Sequence, residues 1–294
     1  MKRAVVLALL ALTLGACGEA GAPSGDSSDR LLSQAREALD RWDKAVAEAG
    51  GEQAFVPVGS LTGQVGTWEP DNGDNKAALA AGRVVTTGPL SEDAPGPTQV
   101  RWADGTTRAV TPVSAAEALR QISADAAADC GGCAPLRVTD ARLTRGTVQT
   151  SRGPAEAPVW EFTVAGTAVR VTRVAVGRGE QVTVTPPSWD PYHAPGGISI
   201  ETATGTTGGR QLTVRFTGAP NPKSEPCGAD YSAEALESTA ALVVIVRAHP
   251  HAVNETCASV GATRTATVQL AAPLGDRAVL EVMQGQPVPV TLTG

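Results

Sequence analysis

Aromatic residues make up 3% of this chain, histidine occurs three times in 294 residues, and Lys plus Arg are outnumbered by Asp plus Glu, 24 to 30. Each shortage excludes something. With few rings, the core has to be assembled from valine, leucine, alanine and isoleucine. A formal charge of −6 with no basic patch argues against nucleic acid or anionic lipid as a partner. No run reaches the ~20 apolar residues that a spanning helix needs. The spacings G-x-S-x-G, G-x-x-x-x-G-K and H-E-x-x-H are missing, and with them the familiar seats for a serine nucleophile, a phosphate or a catalytic zinc. No catalytic residue, metal site or cofactor is expected.

What is present begins at the N-terminus. Lys2 and Arg3 are followed by apolar residues from Ala4 to Leu14, broken only by Thr13, and then by the small pair Gly15-Ala16. This is the three-part pattern of a signal peptide, too short to span a bilayer permanently. The tetrapeptide Leu14-Gly15-Ala16-Cys17 resembles the lipobox of bacterial lipoproteins. The resemblance implies cleavage before Cys17, lipid on its thiol, palmitate or a similar acyl group on the new amine, and an extracytoplasmic location on the membrane. The arginine-, alanine- and glycine-rich texture and the turn 272–277 (APLGDR) are similar to those of uncharacterised exported lipoproteins of actinobacteria.

Beyond Cys17 the remaining cysteines are Cys130, Cys133, Cys227 and Cys257, an even set that suits disulfides in an oxidising compartment. Of the possible pairings, Cys130–Cys133 and Cys227–Cys257 are favoured because each is local. Closing the longer loop contributes about 3.5 kcal/mol on chain-entropy grounds. Cys130-Gly131-Gly132-Cys133 has the spacing of dithiol oxidoreductases. It follows a predicted helix, however, where the macrodipole disfavours a thiolate, so a structural bridge is expected.

Residues 17–28 read as a flexible tether and 29–185 as an α+β domain. Residues 186–197 (PPSWDPYHAPGG) read as a proline-rich linker, and 198–294 as a β-sandwich-like, all-β domain. A helix over 29–48 is predicted from Leu32, Ala35, Leu39, Trp42 and Val46, stopped by Gly50-Gly51. Strands are expected at 55–58 and 83–86, and a hairpin at 100–102 and 108–111 around Asp104-Gly105. A loop is expected at 69–75. Ser114 and Glu117 form a capping-box signature for a helix over 115–128. Strands at 136–139, 143–149, 159–164 and 169–176 would make a meander, with Trp160 and Phe162 on one face. Helix followed by meander resembles the PepSY domain, a small exported α+β module. In the last domain strands are predicted at 198–202, 212–217, 240–247, 263–270 and 277–282. Leu242 to Val246 is apolar on both faces, as in a covered central strand.

Three further candidates read as structural. His249-Pro250-His251, with His193, is expected in solvent-exposed loops rather than at a metal. Asp71, Gly73 and Asn75 imitate a calcium loop, but the twelfth position is Gly82 where a bidentate glutamate is required. Trp189, Tyr192 and His193 are expected to wedge the domains together rather than to form an aromatic binding patch. The favoured function is a non-catalytic module on the cell envelope, anchored in the membrane and binding an envelope protein, polymer or small ligand. The alternative is an extracytoplasmic hydrolase or thiol-disulfide oxidoreductase with a dispersed site.

Overall fold

The computed structural model describes residues 24–51, 55–69, 73–126, 129–188 and 195–294. Its elements begin with α1 (Ser24–Glu48), β1 (Thr62–Val65), α2 (Gly73–Ala80), β2 (Val84–Thr86), β3 (Thr98–Trp102) and β4 (Thr107–Val110). They continue with α3 (Ala115–Ala124), β5 (Leu136–Thr150), β6 (Gly153–Val164) and β7 (Arg170–Val174). Strands β1 to β7 form one seven-stranded sheet built around the long β5–β6 hairpin. The pleat sends alternate side chains of β6 to opposite faces. Ala155, Ala157 and Val159 meet Phe55, Val100, Trp102 and Val110, while Trp160, Phe162 and Val164 meet Ala118, Leu119 and Ile122 of α3.

Several local expectations hold here, and others shift. The Asp104-Gly105 hairpin forms, with Asp104 Oδ1 accepting from Thr106 N at 2.8 Å and Gly105 at φ +85°. Ser114 Oγ caps α3 by accepting from Glu117 N at 3.1 Å. The reciprocal half of the capping box is not used: the Glu117 carboxylate instead accepts from Arg120 and Gln121, each at 3.0 Å. The segments 136–139 and 143–149 are one strand, because an irregularity between Val138 and Asp140 absorbs the apparent break. Residues 55–58 make only isolated bridges, Phe55 to Gln181 and Pro57 to Thr150, since a proline cannot donate to a ladder. The loop expected at 69–75 gives way to α2 at Gly73, where the alanine-rich run favours helix.

The remaining strands are β8 (Ile200–Thr206), β9 (Gln211–Gly218), β10 (Ala229–Glu237), β11 (Ala241–Pro250), β12 (Ala262–Gln269), β13 (Ala278–Glu281) and β14 (Val290–Thr293). One sheet runs β12-β9-β8-β14 and the other β10-β11-β13. Between them lie Leu242, Val244 and Val246 of β11 with Val214, Phe216 and Val268. This is the expected sandwich, with two parallel pairings, β11–β13 and β14–β8, added to it.

The helix α1 departs from the domain division read in the sequence. Its Leu31, Ala35, Ala38, Leu39, Trp42 and Val46 bury Ala241, Val243 and Ile245, the outer face of β11. By packing it therefore belongs with the C-terminal unit, since a strand apolar on both faces needs a second cover. It also starts at Ser24, inside the span assigned to the tether, and Arg247 Nη1 donates to Ser28 Oγ at 2.9 Å. The helix ends as expected at Gly50 and Gly51, at φ +93° and +94°. No helix among the described residues is long and apolar enough to cross a membrane.

Candidate functional site

The two units meet in a cleft of about 420 Å³, walled by two turns of the N-terminal sheet and three segments of the sandwich. The N-terminal wall is tied together by side-chain hydrogen bonds. Thr150 Oγ1, in the β5–β6 turn, accepts from Trp102 Nε1 at 3.0 Å and donates to Gly153 O at 2.6 Å. That fixes the indole, and the Arg152 guanidinium lies over its ring at 4.7 Å from the centroid. Arg152 is held between two carboxylates, Asp104 on its own unit and Asp276 on the other, each at 3.4 Å. The opposite wall is apolar, formed by Leu274, Val290 and Leu292.

The electrostatics favour binding over proton transfer. Hydrogen bonds from Thr106, helped by Arg152, hold the Asp104 carboxyl below the usual carboxylate range, so it stays ionised near neutrality. One guanidinium between two carboxylates leaves the cleft with a net negative charge. Among the described residues, no histidine lines it. The arrangement can seat an apolar group against Leu274 and Leu292 and a neutral or positive group near the carboxylates. Its volume falls in the ordinary range for small-ligand sites, roughly 300–1,000 Å³.

The residues singled out in the sequence lie elsewhere. Cys130 and Cys133 are at disulfide distance, with an S–S separation of 1.99 Å, and so are Cys227 and Cys257, at 2.03 Å. Cys133 packs on the core beside α3. Glu255 lies beside the second pair and accepts from Cys227 N at 2.9 Å, but sulfurs bonded to each other offer no thiolate to a metal. His249 is in β11, not in a loop: the strand runs on to Pro250, extending its pairing with β10. Its Nε2 lies 2.8 Å from Ser232 Oγ, while His251 Nδ1 lies 2.8 Å from Lys223 O. The two imidazoles are thus engaged separately. Cys17, Trp189, Tyr192, His193 and Asp71 lie outside the described residues.

Sequence reasoning missed a buried cation. Arg173 is 2% exposed and its guanidinium bonds Thr62, Gln121 and Asp125, the last also held by Arg178. Burial acts to raise the Asp125 carboxyl, but the two guanidinium groups outweigh it and hold that carboxyl below its ordinary value. The readable signal was alternation: Val171 and Arg173 share a face of β7, which places an arginine inward.

No protein family, curated protein or solved structure matches this chain. The likeness to PepSY domains therefore stays one of pattern alone.

Proposed function

We propose that this chain is an exported lipoprotein, held at the extracytoplasmic face of the membrane by lipid on Cys17. In this reading its folded part binds a ligand without transforming it. The lipobox tetrapeptide supports the anchor. The observation that carries the binding role is the cleft between the units, where the Trp102 indole and the Arg152 guanidinium are held by their neighbours and apolar residues of the sandwich stand beside the carboxylates of Asp104 and Asp276. The ligand class that fits is a small or peptidic envelope component with an apolar face and a neutral or basic end. The test is calorimetric titration of the mature chain with envelope-derived peptides and glycans. Saturable heat that Leu292→Glu abolishes, at unchanged stability, supports the cleft. Heat unaffected by Leu292→Glu and by Asp276→Asn places binding elsewhere.

The second reading, a hydrolase, is favoured only by the Ser232–His249 pair at 2.8 Å. The pair sits on the exposed surface of two neighbouring strands and does not line the cleft. A nucleophile also needs its base oriented by a third group. Turnover of activated esters that Ser232→Ala removes would revive that reading.

A further inference from the structure

We infer that the end of the sandwich bearing residues 251–261 rests on an uncharged bilayer surface while α1 holds the cleft away from it; this rests on the proposed lipid at Cys17. The direction of α1 decides which end faces the membrane. Its first turns lie by Arg247, near the far end of β11, through the bond to Ser28, and Ser238 at the near end donates to Asp43 at 3.4 Å. The helix therefore runs antiparallel to β11. The loop 251–261, which joins β11 to β12, lies at the helix's N-terminal end. The cleft residues Leu274 and Asp276, just before β13, lie at its C-terminal end, because Ala278 pairs with Ala241.

Covalent geometry limits the anchor. Cys17 is seven residues from Ser24, so even a fully extended chain keeps its sulfur within about 25 Å of the helix start. The 25 residues of α1 span about 37 Å along their axis. The bilayer thus lies at the loop end, with the cleft roughly a helix length beyond it.

A second, independent observation marks the same end. Among the described residues, the two most exposed large hydrophobic side chains are Val253, at 82%, and Val260, at 63%, and both belong to this one loop. Cys257, bonded to Cys227 just before β10, ties the loop to the sandwich between the two valines. The charges around it are mixed: Lys223, Arg247 and Arg264 stand against Glu225, Asp230, Glu234 and Glu255. No excess of basic charge draws it to anionic lipid, so the contact is apolar and phosphatidylcholine suffices as a partner.

The test uses the full mature lipidated chain in phosphatidylcholine vesicles containing brominated lipid, with tryptophan introduced as Val253→Trp, or as Arg210→Trp in the β8–β9 turn, whose Thr207 and Gly208 line the cleft. Quenching at least about twofold stronger at position 253, and insensitive to salt, is the expected result for an apolar interfacial contact. Equal quenching at both positions, or stronger quenching at 210, with acyl chains on Cys17 confirmed by intact mass, overturns the orientation and leaves the anchor standing. An intact mass without acyl chains removes the anchor and this inference together. Hydrogen exchange on the unsubstituted chain gives a second readout: vesicle-dependent protection of 251–261 supports the orientation, and its absence contradicts it.

Discussion

In the C-terminal unit one strand, β11, buries apolar side chains on both faces. In the N-terminal unit β6 serves one core with each face, and the neighbouring β7 carries a guanidinium inward. The first arrangement needs two covers, and one of them, α1, comes from the opposite end of the chain. The second closes on itself but relies on paired charges. The C-terminal unit should therefore be vulnerable to losing a distant segment, and the N-terminal unit to losing a charge.

The largest effect expected from this contrast is removal of α1. Residues 195–294 alone leave Ala241, Val243 and Ile245 uncovered, and should bind hydrophobic dyes and unfold without a cooperative transition. A sharp urea transition for that fragment would show that the sandwich needs no helix. Next comes the loop closed by Cys227 and Cys257. Replacing both with serine should cost about 3.5 kcal/mol in urea unfolding, against about 2 kcal/mol for the much shorter Cys130–Cys133 loop. Equal costs would remove chain entropy as the explanation.

Arg173→Ala is expected to cost about 2–3 kcal/mol, because it strips a partly buried carboxylate, Asp125, of one partner and leaves space in the core. Hydrogen exchange should show the loss in the N-terminal sheet only. Loss spread equally over β11 would mean that the units unfold as one. The smallest effect concerns acid. Of the carboxyls held below their ordinary range among the described residues, Glu92, Asp104, Glu117, Asp125 and Glu161 belong to the N-terminal unit and Glu237 to the other. A lowered folded-state value gives stability that is present above the unfolded value of about 4 and is lost as pH falls through the folded one. Between pH 5 and 2, the N-terminal sheet should accordingly lose exchange protection before the sandwich does. The reverse order would break the contrast.

Where burial alone sets the pattern, the residues announced the structure. Leu242 to Val246 declared a strand covered on both sides, 263–270 a strand, and Asp104-Gly105 a hairpin. Where composition and context disagree, they did not. The run ADYSAEALE reads by its alanines and glutamates as a helix former, yet Tyr231, Ala233 and Ala235 turn toward the sandwich core as β10. The site was less legible still. Trp102, Arg152, Asp104 and Asp276 meet only through the packing of two units, and local spacing carries no trace of that meeting. The cysteine pairs could be read because each pair is local. The cover for β11 could not be assigned, since no local rule links α1 to a strand some 200 residues away in the chain.

Membrane anchoring underlies the proposed role, and the intact mass of the native N-terminal peptide tests it most directly. The account predicts a peptide beginning at Cys17 and carrying two or three fatty chains. A peptide that still begins at Met1, or one that begins with an unmodified Cys17, would contradict it.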